Sequence, residues 1–160
     1  QHARVEKHAD TEIASGVDYH SFANPNEVRV THLSLNLTAN FETKQLVGDV
    51  TLDAERAKPG NNTLVLDTRA LNIQSVSVEG ESVPFEMGQT DPDLGTPLTI
   101  TLPSAASSVT VAYSTSPEAS GVQWLTPAQT AGKQHPFLFT QAQAVHARSF
   151  IPLQDSPHGF

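Results

Sequence analysis

From residue 33 the chain reads LSLNLTANF, with Leu33, Leu35, Leu37, Ala39 and Phe41 separated by single polar residues. Successive side chains leave a pleated backbone on opposite sides, so a period of two marks a strand with one buried face and one wet face. After the polar turn 42–45, the alternation resumes with Leu46, Gly48, Val50 and Leu52. The two runs predict an antiparallel hairpin.

The same grammar continues downstream. The breaker AKPGNN at 57–62 precedes a short apolar strand, TLVLDT, at 63–68. IQSVSV (73–78) and VPFEM (83–87) flank the turn EGES and read as a second hairpin, with Pro84 lacking a ladder donor and so placing its strand at an edge. After a loop at 89–96, Leu98, Ile100 and Leu102 share one face, and so do Val109, Val111 and Tyr113. No run keeps a helical period. Many short strands with Pro and Gly between them predict an all-β domain, a sandwich or twisted multi-sheet arrangement.

The first 27 residues hold no apolar period, and residues 1–20 read as a loosely ordered leader to a domain at 21–160. A chain of 160 residues can bury roughly two-thirds of the surface its unfolded form exposes, enough for one real core. Nine Lys and Arg against 17 Asp and Glu give a net charge of -8, which repels phosphate backbones and argues against nucleic acid. Without cysteine there is neither a disulfide framework nor a thiolate metal site. No apolar run approaches the roughly 20 residues of a membrane helix.

Seven histidines raise a metal site, yet none are spaced to share a helical face and H-E-x-x-H is absent. They read as polar strand or loop residues. G-x-S-x-G and glycine-rich phosphate loops are absent too. The stretch that stands out is 137–150, FLFTQAQAVHARSF. As a strand it sets Phe137, Phe139, Gln141, Gln143 and Val145 on one face, and Leu138, Thr140, Ala142, Ala144 and His146 on the other. Spacing alone leaves two uses for the amides: a ligand wall, or partners for backbone groups at a strand edge.

Residues 121–157, GVQWLTPAQTAGKQHPFLFTQAQAVHARSFIPLQDSP, resemble the N-terminal domain of zinc aminopeptidases of the leukotriene hydrolase and aminopeptidase B branch, within the wider aminopeptidase N family. The matching features are Trp-Leu-x-x-x-Gln-Thr, a Pro-aromatic strand, a Gln-x-Gln pair and a Pro-x-Gln-Asp-Ser/Thr-Pro ending. Upstream, NTLVLDTRALNIQSVSVEG resembles the family's Leu-x-Leu-Asp-Thr segment, and the resemblance covers residues 21–157.

The resemblance implies a saddle-shaped β domain that packs on a thermolysin-like catalytic domain. It implies that Gln141 and Gln143 line a substrate cleft with Ala142, and that Gln143 helps hold the free α-amine of a peptide. The zinc ligands, the G-x-M-E-N loop and the catalytic Tyr lie downstream of the matched region, so zinc belongs to the implied parent and this chain alone is expected to be no enzyme. Its expected partners are a peptide N-terminus and the parent's catalytic and C-terminal domains. Family members continue into further strands where this chain ends in HGF, which predicts an exposed sheet edge and self-association. The competing reading is a free-standing β-sandwich module that binds peptide or carbohydrate, although one Trp and two Tyr make a poor sugar platform. The lack of cysteine and the leader-like start point towards a bacterial envelope, with the cytoplasm as the alternative.

Overall fold

The computed structural model describes residues 21–140 and 146–155; the expected leader, 1–20, lies outside them. Among the described residues ten strands form three antiparallel sheets, which bears out the all-β reading. The first hairpin is β1 (Val28–Asn40) paired with β2 (Gln45–Arg56). A five-stranded sheet runs β1-β2-β8-β4-β5, with β4 at Asn72–Val78, β5 at Glu81–Ser82 and β8 at Ser108–Ser114. A three-stranded sheet runs β3-β7-β6, from Thr63–Thr68, Thr96–Thr101 and Phe85–Met87. A two-stranded ribbon joins β9 (Val122–Leu125) to β10 (Phe137–Thr140).

The hairpin register follows the alternation, with Leu33 opposite Leu52 and Leu35 opposite Val50. One detail is invisible to a simple period. Val30 faces Ala54, and a bulge between Val30 and His32 inserts one residue before Leu33 meets Leu52. That extra residue lets even-numbered Val28 and Val30 share the core side with odd-numbered Leu33, because cross-strand partners lie on one face.

Gly48 occupies an apolar position for a different reason. Its φ is +156°, and a Cβ there would lie 1.9 Å from the Asn36 carbonyl oxygen across the hairpin. Gly48→Ala should therefore destabilise the domain by about 1–3 kcal/mol, as overpacking typically does. A lower urea midpoint at unchanged m would show this; an unchanged midpoint would refute it.

The core brings the two larger sheets together. Val50, Leu52, Val111 and Tyr113 from the first meet Leu64, Leu66, Leu98 and Ile100 from the second, all with no exposed surface. Burial of each such aliphatic side chain contributes about 1.5–3 kcal/mol. The expected second hairpin is corrected. β4 pairs with β5 for two residues only, and β6 pairs with β7 in the other sheet. Pro84 has no N–H to extend the β4 ladder, so the chain leaves the first sheet there, and β6 becomes an edge as the proline requires. Among the described residues no helix is long and apolar enough to cross a membrane.

Candidate functional site

Gln141, Ala142 and Gln143 lie outside the described residues, but the segments on either side of 141–145 are described. Upstream, the ribbon pairs Leu138 with Trp124 and Phe139 with Gln123. Leu138 and Trp124 pack on the core, whereas Phe137 is 55% exposed and Phe139 39%. The face to which the strand reading assigns the amides thus begins with two exposed phenyl rings. Trp124 also receives Phe41 edge-on, with ring centroids 5.2 Å apart. A shallow pocket of ≈ 240 Å³ opens beside that pair, lined by Phe41, Lys44, Leu125, Pro127 and Pro136.

Downstream, the strand reading of 137–150 needs correction. His146 has helical backbone angles and leads into a 3-10 turn at Ala147–Ser149. The turn is pinned by hydrogen bonds. Ser149 Oγ donates to the His146 carbonyl at 2.6 Å and accepts from the Gly121 N–H at 2.8 Å. Tyr113 Oη donates to the Phe150 carbonyl at 2.6 Å from within the core, where burial pushes its phenol well above the usual range. Gly121 has no room for a side chain, since a Cβ would sit 2.7 Å from both the His146 carbonyl and the Phe150 ring.

Arg148 is fully buried, and its charge needs partners. Its Nε donates to Asp155 at 2.9 Å, and its terminal nitrogens donate to the carbonyls of Leu94, at 2.8 Å, and Asp155, at 3.0 Å. Asp67, also fully buried, lies 3.8 Å from the guanidinium. That carboxylate accepts from Ser21 Oγ, from the Phe22 N–H at 2.7 Å and from the Asp155 N–H at 3.0 Å. Burial raises its pKa above 3.8, opposed by the Ser21 and Phe22 hydrogen bonds and by Arg148. The backbone of Asp67 meanwhile pairs with Leu153. Next in the chain, the buried Gln154 amide accepts from the Val30 N–H at 2.9 Å and donates to the Val28 carbonyl at 2.6 Å. It stands in for a neighbouring strand.

The Leu-x-Leu-Asp-Thr and Pro-x-Gln-Asp segments, distant in sequence, therefore meet through Asp67, Leu153 and Asp155. Sequence reasoning missed the guanidinium that joins them. Its signal was a charge embedded in the apolar stretch VHARSFIPL. Among the described residues no group of three or more His, Asp or Glu could hold a metal ion.

The family model for the peptidase M1 N-terminal domain matches residues 25–159. The chain belongs to that family. This M1 N-terminal domain is 40% identical to leukotriene A-4 hydrolase of Xenopus laevis over 145 residues, covering 88% of this chain and 24% of the relative. It is 41% identical over 143 residues to leucine aminopeptidase 2 of Yarrowia lipolytica, covering 88% and 22%. The structure of yeast LTA4 hydrolase in complex with bestatin matches it with a TM-score of 0.83 at 30% identity, over 92% of this chain and 24% of that one. The M1 N-terminal domain thus spans about a quarter of the length of these relatives.

Proposed function

We propose that this domain supplies the substrate-binding wall of a zinc aminopeptidase without catalysing the reaction itself. The observation that carries this reading is the family match across residues 25–159, in a chain about a quarter as long as relatives that include leucine aminopeptidase 2. Gln141, Ala142 and Gln143 would line the wall, and Gln143 would accept a hydrogen bond from the free α-ammonium of the peptide. An amide oxygen suits that task because it binds the cation without adding a second full charge. Holding the ammonium at one place fixes which peptide bond lies next to the reacting centre. The pinned turn at Ala147–Ser149 supports the reading by anchoring the chain directly after this segment.

Zinc does not fit the described residues, which offer no cluster of ligands for it. In the parent, residues beyond this domain would hold the metal, which would supply Lewis-acid chemistry. The isolated 160-residue chain should retain no stoichiometric zinc after dialysis and release no amine from aminoacyl reporter substrates. One tightly held zinc per chain, or turnover by the isolated domain, would overturn the proposal. Sequence beyond position 160 provides the complementary test, since the proposal requires H-E-x-x-H there.

A further inference from the structure

The residues on either side of 141–145 are held at one place. Upstream, Thr140 pairs with Val122, so β10 ends alongside the start of β9. Downstream, His146 lies against the two residues that precede Val122. Its Nδ1 is 3.0 Å from Ser120 Oγ, and a Cβ on Gly121 would sit 2.7 Å from its carbonyl oxygen. That carbonyl accepts from the Ser149 hydroxyl at 2.6 Å and from the Ser149 N–H at 3.1 Å, while the Gly121 N–H donates to the same hydroxyl at 2.8 Å. Residues 120–122 therefore seat both Thr140 and His146.

This seat is anchored in the core. The Arg148 carbonyl accepts from the Arg69 N–H at 2.8 Å, and its guanidinium donates to Asp155 and to the Leu94 carbonyl. Tyr113, on β8, holds the Phe150 carbonyl. Ser149 and Arg148 have no exposed surface, so neither meets a ligand directly. Buried polar groups that are hydrogen-bonded in this way rigidify the backbone they hold. We infer that Ser149 and Arg148 are positioning residues: by fixing His146, three residues after Gln143, they set the place from which that amide reaches the peptide ammonium. The inference rests on the substrate-wall reading of Gln143 given above. A misplacement of about 1 Å can lower a rate about 100-fold, so a loosened seat is felt at the ammonium while the fold survives.

In a full-length enzyme, Ser149→Ala removes one hydroxyl, and Arg148→Lys keeps the charge while losing the planar fork. Each is expected to lower kcat/KM for peptides with a free α-amine about tenfold or more per folded molecule. In the Gln143→Leu background the same changes should lower it less than about twofold, because the acceptor they place is gone. A purely structural role gives either equal losses in both backgrounds or fewer folded molecules with unchanged kcat/KM, and both results would overturn the inference. The two variants act on different bonds, so one suffices should the other fail to fold. If Gln143→Leu alone left kcat/KM unchanged, the substrate-wall reading would fall and this inference with it. If Gln143→Leu lowered kcat/KM and the seat variants added in full to that loss, only this inference would fall.

Discussion

Replacing Arg148 with leucine is expected to destabilise the domain by about 3–5 kcal/mol, the range for breaking a buried ion pair from one side. Leucine leaves Asp67 with no cation in a fully buried setting and removes the donors to Asp155 and the Leu94 carbonyl. The loss should depend on pH with a defined sign. Burial already raises the Asp67 carboxyl above 3.8, and removing the guanidinium raises it further. Between its unfolded and folded values the folded chain binds the extra proton, so this group adds stability as pH falls and removes it as pH rises. The gap between variant and wild type should narrow from pH 7 towards pH 4 in urea titrations. A gap that is equal at both ends, or below about 1 kcal/mol, would remove Asp67 and Arg148 from the account of what holds this region.

In a full-length enzyme, Gln143→Leu is expected to lower kcat/KM for peptides with a free α-amine by roughly 10- to 150-fold. The substitution keeps the approximate bulk and deletes the acceptor, and a hydrogen bond to a charged group contributes about 1.5–3 kcal/mol. Should the amide instead satisfy local backbone groups, the variant would lose thermal stability while each folded molecule kept its kcat/KM. Both quantities measured on one preparation separate these cases.

The hairpin was legible because alternation over 33–41 and 46–52 admits few other conformations, and its register puts Leu33 opposite Leu52. Only Leu33, Leu37 and Ala39 of the first run pack against the core, however, while Leu35 and Phe41 stay exposed. The bulge at Thr31 was not legible, since an extra residue in a ladder has no composition of its own. The second hairpin failed for a related reason. Pro84 announced an edge, but which sheet that edge bounds depends on residues 96–101, which lie beyond any local window. At the candidate site, sequence reasoning singled out the amides and the Pro-x-Gln-Asp ending. It could not show that Gln154 completes the β1 edge, or that Arg148 is wholly buried, because both follow from contacts with Val28, Leu94 and Asp67.

The Gln154 tie also has a temporal meaning. The strand that opens the fold receives its edge partners from a side chain 124 and 126 residues later. A ribosome adds roughly 5–20 residues per second. The β1–β2 hairpin can close early in synthesis, because its two halves are neighbours, but its first half then waits several seconds or more with its outer peptide groups unpaired. Asp67 waits as well, since its Asp155 partner arrives 88 residues afterwards. Contacts of such long sequence separation come late and slow the final folding step. The nascent chain is therefore most exposed to mispairing just before residue 155 emerges, and at that stage a chaperone that shields a strand edge would have the most to protect.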